Sequence, residues 1–166
     1  EESMKIPLLV YAPGVIEGGK SLSQIIQNID IAPTILDMAG IKQPAQMQGA
    51  SFYPLLKGET VTTWRNKAFY EYYWEYAFPQ TPTTFGVRDG DYKFIFYPGV
   101  WDINELYDLK NDPEEKKNLI RVAAYQNMIR KMRGEMYDWL EQTGGMQIPL
   151  KRIEEKKRDN LYNNTY

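Results

Sequence analysis

Apolar residues change their spacing several times along this chain, and each change predicts a different element. Residues 6–12, Ile-Pro-Leu-Leu-Val-Tyr-Ala, form an unbroken apolar run. Such a run suits a strand covered on both faces, as in a parallel sheet. Pro7 is tolerable near the start or edge of a strand, and Pro13-Gly14 ends it. No second run of this type follows, so the neighbours that a parallel strand needs are expected upstream. Residues 30–39 then read as a short helix, with Asp30 as N-cap and Pro33 in the first turn. Ile31, Ile35 and Met38 make one apolar row, and Ala32, Leu36 and Ala39 a second, which implies a well-buried helix. Gly40 stops it, with Ile41 as the hydrophobic residue after it. Residues 42–66 read as loop and short turns.

From residue 67 the period is two. Ala68, Tyr70, Tyr72 and Trp74 alternate with Phe69, Glu71, Tyr73 and Glu75, predicting an aromatic strand over 68–76. A loop rich in Pro and Thr follows from Pro79 to Thr84. Residues 85–88 and 92–97 flank Asp89-Gly90-Asp91, a hairpin signal, and 104–109 give a further strand. Asp112-Pro113-Glu114-Glu115 has the form of a helix start: N-cap, Pro at the first position, then acids on the positive helix end. A longer helix is expected over 122–142. Its stripe is Val122, Tyr125, Ile129, Met132, Met136 and Trp139, which could cover one face of the sheet. Gly134 inside it costs roughly 1 kcal/mol relative to Ala. Gly144-Gly145 ends it, and the polar residues 150–166 are expected at the surface or frayed. No internal repeat is present.

Composition narrows the chemistry. The 166 residues are 43% hydrophobic and 25% charged, which is ordinary globular usage. A formal charge of -2 suggests no nucleic-acid or membrane partner, and the apolar run at 6–12 is far too short to span a bilayer. The chain opens on Glu1 rather than Met, so its natural beginning is expected upstream. There is no Cys and no His. That excludes a Ser-His-Asp triad, a Cys-His dyad, thiolate sites and His-bound metal within this segment. Chemistry here would rest on carboxylates, Lys, Arg, Tyr, Ser or Thr. The 13 Tyr and 4 Trp fit either an aromatic core or a carbohydrate-binding surface, and burial habits favour the core.

Each candidate site has a structural alternative. Asp108, Asp112, Glu114 and Glu115 are dense, but their spacing is not that of an EF-hand, and helix capping accounts for Asp112 and Glu115. Asp89 and Asp91 read as turn residues. Ser21 and Ser23 have no His to activate them. Gly14 to Ser21 formally meets the phosphate-loop pattern, yet Glu17, Val15 and Ile16 are awkward in a phosphate nest and no acid-ended strand for magnesium follows. Arg88, with Tyr72, Tyr73 and Trp74, is the best candidate for contact with an anionic or sugar ligand, and a structural ion pair is the competing reading.

Several motifs, in order, resemble one family. Residues 1–14 resemble the stretch of sulfatases that follows their last active-site lysine. Asn28 to Gly40 looks like their "DIAPTILDLAG" helix, and Gln48-Gly49-Ala50-Ser51-Phe52 with Pro54-Leu55-Leu56 like their "G-x-S-L…P-L-L" segment. Gly86-Val87-Arg88 with Asp91 to Ile95 resembles the family's hairpin. Glu105 to Leu109 and Asn111 to Leu119 resemble its "ELYDL-x-x-DP-x-E-x-x-NL" ending. The resemblance covers about residues 1–140. It implies the C-terminal portion of a formylglycine-dependent sulfatase, or arylsulfatase, of the alkaline-phosphatase-like superfamily. The implied fold is α/β, or α+β for this segment alone. One strand and helix of the large sheet would be followed by a four-stranded antiparallel sheet packed against a long helix. Residues 1–60 would end the catalytic domain, 61–147 form the C-terminal subdomain, and 148–166 a charged tail.

The implied reaction is hydrolysis of a sulfate ester on a sulfated carbohydrate or aryl sulfate. A formylglycine from a "C/S-x-P-x-R" motif would be the nucleophile, and calcium the cofactor. No catalytic or metal residue of the family can be placed in this chain, which is expected to be inactive alone. A secreted or periplasmic location fits the resemblance. A related phosphoester hydrolase and a stand-alone glycan-binding module are the alternatives.

Overall fold

The alternation beginning at residue 67 folds into a four-stranded antiparallel sheet in the computed structural model, which describes residues 4–99 and 103–147. The strands are β1 (Lys67–Tyr72), β2 (Thr84–Asp89), β3 (Tyr92–Phe96) and β4 (Glu105–Asp108). Each pairs with its predecessor, so spatial order equals chain order. Asp89 pairs with Tyr92 across Gly90-Asp91, and Gly90 supplies the positive φ, 58°, that this two-residue turn demands. The hairpin therefore forms where the Asp-Gly signal places it. The aromatic strand is shorter than its alternation suggests: β1 stops at Tyr72, and the chain then turns out into a loop.

Register sets the core. Phe69, Val87, Phe94 and Leu106 lie side by side across all four strands. Against that row packs helix α3 (Gln126–Thr143), through Ile129, Met132, Met136 and Leu140. Burying each such side chain stabilises the fold by roughly 1.5–3 kcal/mol. The helix starts four residues later than the stripe suggests. Val122 stays extended and exposed before a short 3-10 turn at Ala123–Tyr125. Leu140 closes the buried stripe, and Trp139 instead stacks flat on Phe69, with ring centroids 4.9 Å apart.

The expected helix start at Asp112-Pro113 does not lead into a helix. Glu115 adopts a left-handed φ of 54°, which no α-helix continues. The Asp112 carboxylate instead accepts the Lys116 and Lys117 N–H groups, at 3.1 and 2.8 Å, and closes a tight loop.

The N-terminal part is a separate lobe. Helix α1 (Ile31–Met38) follows a 3-10 turn at Asn28–Asp30, and a single-turn helix α2 (Tyr53–Leu56) packs near it. The expectation of a well-buried α1 fails. Its covered positions are Pro33 and Thr34, while Ile31, Ile35 and Met38 are exposed. Residues 6–12 form no strand either, with Leu9 and Tyr11 95% and 91% exposed. A strand needs a partner for its backbone N–H and C=O groups, and none pairs with this run among the described residues. The predicted charged tail, 148–166, lies outside the described residues.

Asp30 holds the N-cap position of α1, but its side chain caps no N–H of that helix and serves instead as a buried anchor. Its Oδ2 accepts the Gln27 N–H at 2.7 Å, and its Oδ1 the Ala50 N–H at 2.9 Å. The Arg65 guanidinium adds a bidentate pair, with Nη2 2.8 Å from Oδ1 and Nη1 on Oδ2. Thr34 continues the tie: its hydroxyl donates to the Asp30 carbonyl (2.7 Å) and accepts the Phe52 N–H (3.0 Å). Gly49 allows this closeness, because a Cβ there would sit 1.9 Å from the Ile29 carbonyl oxygen. Two further bonds join the lobe to the sheet side, Trp64 Nε1 to the Ile25 carbonyl (2.9 Å) and Gln27 Nε2 to the Phe69 carbonyl (3.4 Å).

Two stability predictions follow from this packing. Met136→Ala should cost about 2–5 kcal/mol in a denaturant titration, as expected for a fully buried Met between helix and sheet. Asp30→Ala should cost about 3–5 kcal/mol, because it strands the Arg65 charge and two backbone donors. A loss below 1 kcal/mol in the second variant would show that the anchor does not hold the lobe.

Candidate functional site

The sheet has a second face, opposite α3, and it carries the candidate chemistry. Alternation places Tyr70, Tyr72, Arg88, Lys93 and Tyr107 on that face. Arg88 and Lys93 are direct cross-strand partners, with Tyr107 next in the row. Two like charges so placed repel each other unless an anion compensates. Glu115 is that anion, bonded through its carboxylate to the Lys93 ammonium. The left-handed backbone at Glu115 thus accompanies an ion pair with a lysine only 3% exposed. Burial raises the Glu115 carboxyl while Lys93 lowers it, and the net position is below the ordinary value. Lys93 Nζ also lies 6.0 Å from the Tyr107 ring centroid. Burial, followed by the charge of Glu105, pushes the Tyr107 phenol up to about 12.

The four residues singled out by sequence do not form one patch. Tyr72 and Arg88 share the face opposite α3, but Tyr72 pairs with Thr84 while Arg88 pairs with Ala68. Four strand positions separate them, roughly 13 Å at the rise of a β-strand. Tyr73 turns to the helix side, edge-on to Phe85 at 5.7 Å. Its hydroxyl lies 2.7 Å from Glu71 Oε2 and 2.8 Å from the Gly145 carbonyl, so it clamps the end of α3 to the sheet. Burial, then the Glu71 carboxylate, pushes its phenol up to about 12. Trp74 sits in the loop after β1, its N–H on Thr83 Oγ1 (2.9 Å) and its Nε1–H on the Pro79 carbonyl (3.1 Å). Tyr76 and Phe78, both exposed in the same loop, fall within the aromatic stretch and loop read from sequence as candidates but were not named individually. Their signal is the 74, 76, 78 spacing, which prolongs the alternation of β1 beyond its last ladder bond.

The acid-rich ending is structural. Asp108 accepts the Lys110 and Asn111 N–H groups (3.2 and 3.1 Å) and the Asn111 side-chain amide (2.8 Å). The Asn111 amide is the main reason its carboxyl lies below the ordinary range. Glu114 pairs with Lys116. Among the described residues no three acids converge on a point where a metal ion could sit. The phosphate-loop pattern also fails, because no helix follows Ser21. No helix among the described residues is long and apolar enough to cross a membrane.

Comparison with known proteins adds the family. The model of the C-terminal part of N-sulphoglucosamine sulphohydrolase matches residues 1–142. The chain is 38% identical over 145 residues to an N-acetylglucosamine-6-O-sulfatase of Bacteroides thetaiotaomicron, covering 86% of this chain and 25% of that protein. It is 31% identical over 142 residues to a Delta 4,5-hexuronate-2-O-sulfatase of the same organism, covering 84% and 29%. Among solved structures it resembles one in complex with its substrate D-glucosamine-2-N,6-O-disulfate, with a TM-score of 0.73 and 33% identity. That match covers 82% of this chain and 28% of the other. The chain thus spans between 25% and 29% of the length of these relatives.

The raised phenols of Tyr73 and Tyr107 set a pH dependence. Their folded values, about 12, exceed the ordinary 10.0, so the folded state favours the neutral form. The stability they contribute is complete below about 10 and is lost as pH rises through about 12. Denaturation midpoints measured across this window should fall, and Tyr73→Phe should flatten the decline. An unchanged slope in that variant would show that Tyr73 does not contribute to it.

Proposed function

The chain belongs to the sulfatase family as a C-terminal portion, and on that premise we propose that its parent protein hydrolyses sulfate esters of a sulfated carbohydrate. The observation that carries this reading is the likeness, over 82% of the chain, to a structure holding a disulfated glucosamine. A simple aryl sulfate is the less favoured substrate, since the relatives described above are named for sugar sulfates.

In this reading the chain shapes the enzyme rather than reacting. It has no Cys, no His and no "C/S-x-P-x-R" stretch. The residues described do not fit a calcium site, because each clustered acid already serves a loop bond or an ion pair. The formylglycine nucleophile and the calcium ion would therefore be held by the part of the enzyme upstream. The exposed apolar residues of 6–11 and of α1 would pack against that part. Half-buried Arg88 and Tyr72 on the face opposite α3, and Trp74 in the loop, are the proposed substrate contacts. Arg88 suits a sulfate or carboxylate, which its planar fork can grip through two parallel bonds. Tyr73 is engaged as a clamp.

The expected outcome is direct. The purified chain should release no sulfate from an aryl sulfate or from glucosamine 6-sulfate, while the parent protein should do so and carry the nucleophile motif upstream. Turnover by the pure chain, or a parent lacking that motif, would refute the assignment.

A further inference from the structure

The buried apolar residues of this chain fall into two groups. The cluster between the sheet and α3 draws on residues 69–140: Phe85, Val87, Phe94, Leu106, Leu119 and the α3 stripe, with Phe69 and Trp139 packed against it. Among the described residues, none before Phe69 enters it. Phe52 and Leu55, each 4% exposed, are buried in the lobe instead, where α2 packs near α1 and the Phe52 N–H bonds the Thr34 hydroxyl. The hydrogen bonds between lobe and sheet side are made by polar side chains. Arg65, two residues before β1, forks onto Asp30, while Trp64 bonds the Ile25 carbonyl and Gln27 the Phe69 carbonyl. Met4 adds an apolar touch at Gly86, its Sδ 4.0 Å from where a Cβ would stand. Residues 57–66, which connect α2 to β1, hold no helix or strand, and Gly58 turns there at a φ of 83°.

A packed apolar core opens as a unit, because each side chain in it loses contacts when its neighbours leave. Two cores that share no apolar residue lack that reason to open together. We propose that the lobe and the sheet with α3 are separate cooperative units, and that the Asp30–Arg65 fork is the release point between them. When the fork parts, the lobe opens while the sheet and α3 keep their fold. The fork suits this role because its hold is geometric. While it is closed, both Asp30 oxygens are fully bonded, and parting it leaves a buried charge uncompensated. The joint is therefore shut or open, with no graded slide between the units. The lobe depends on it more than the sheet does. Asp30 also gathers Gln27 and Ala50, so the lobe loses its organising centre with the fork, whereas the strands and α3 hold one another.

Native-state hydrogen exchange on the full chain separates the two units. The Gln27, Ala50 and Phe52 amides report the lobe, and those of Val87, Phe94 and Met136 the sheet and helix. Arg65→Ala should speed exchange of the first group about ten- to hundredfold and leave the second unchanged. Arg65→Lys, which keeps the charge but loses the fork, should give a smaller rise confined to the same group. Met136→Ala should do the reverse, speeding the second group about thirtyfold or more with the first unchanged. Equal acceleration of both groups in any of these variants would overturn the proposal. So would loss of the whole fold in Arg65→Ala, no change of the lobe amides in that variant, or lobe amides already unprotected in the wild-type chain.

Discussion

One buried carboxylate holds the two parts of this chain together. Asp30 is removed from water, which would be prohibitive for an unpartnered charge. Each of its oxygens instead receives one backbone N–H and one guanidinium N–H. Three segments distant in sequence, around 27–30, 50 and 65, thereby meet at a single side chain. An apolar contact of similar size would tolerate sliding. This arrangement does not, because any shift leaves a buried donor or acceptor without a partner. It fixes α1 relative to the chain entering β1, and so sets the lobe against the sheet.

The sheet has clamps of its own at the middle and at the C-terminal end of α3. Lys67 bonds Glu135 at 2.7 Å and Asp89 at 3.3 Å, midway along the helix beside Met136. Tyr73 holds the C-terminal end through the Gly145 carbonyl. Between them the buried Met and Leu side chains do the bulk of the work. The opposite face is polar and aromatic, and its buried Lys93 is held by Glu115 from the loop after β4. The two faces thus differ in character, one apolar against α3 and the other polar and aromatic around the Lys93–Glu115 pair.

How much of this was legible in the sequence depended on range. The hairpin was legible because Asp89-Gly90-Asp91 encodes its own backbone geometry, and α3 because its stripe repeats at helical spacing. The N-cap position of Asp30 was legible because that motif is local, whereas its side-chain partner, Arg65, lies 35 residues away. Pro113 after Asp112 is a strong helix-start signal, but a left-handed turn at Glu115 and its bond to Lys93 on the sheet prevail over it. The run at 6–12 has the pattern of a buried strand, but pattern cannot supply hydrogen-bond partners. The candidate site suffered from reading neighbours as a patch. Tyr72, Tyr73 and Trp74 are consecutive, so the pleat and the end of β1 send them to three different surroundings.

The match between strand order and chain order also carries a kinetic meaning. Every strand pairs with the one made just before it, so each step of sheet formation closes a short loop and loses little chain entropy. Low contact order of this kind favours rapid assembly. The exception is the return of α3 to the sheet, where Trp139 stacks on Phe69 of β1 and Tyr73, just after β1, meets Gly145, just after α3, across 72 residues. The meander can be laid down as it is synthesised, but its first strand stays half uncovered until the last turn of the helix has been made. In this subdomain the last turn of α3, through Trp139, and Gly145 just beyond it act as the latch of a structure whose other parts are already in place.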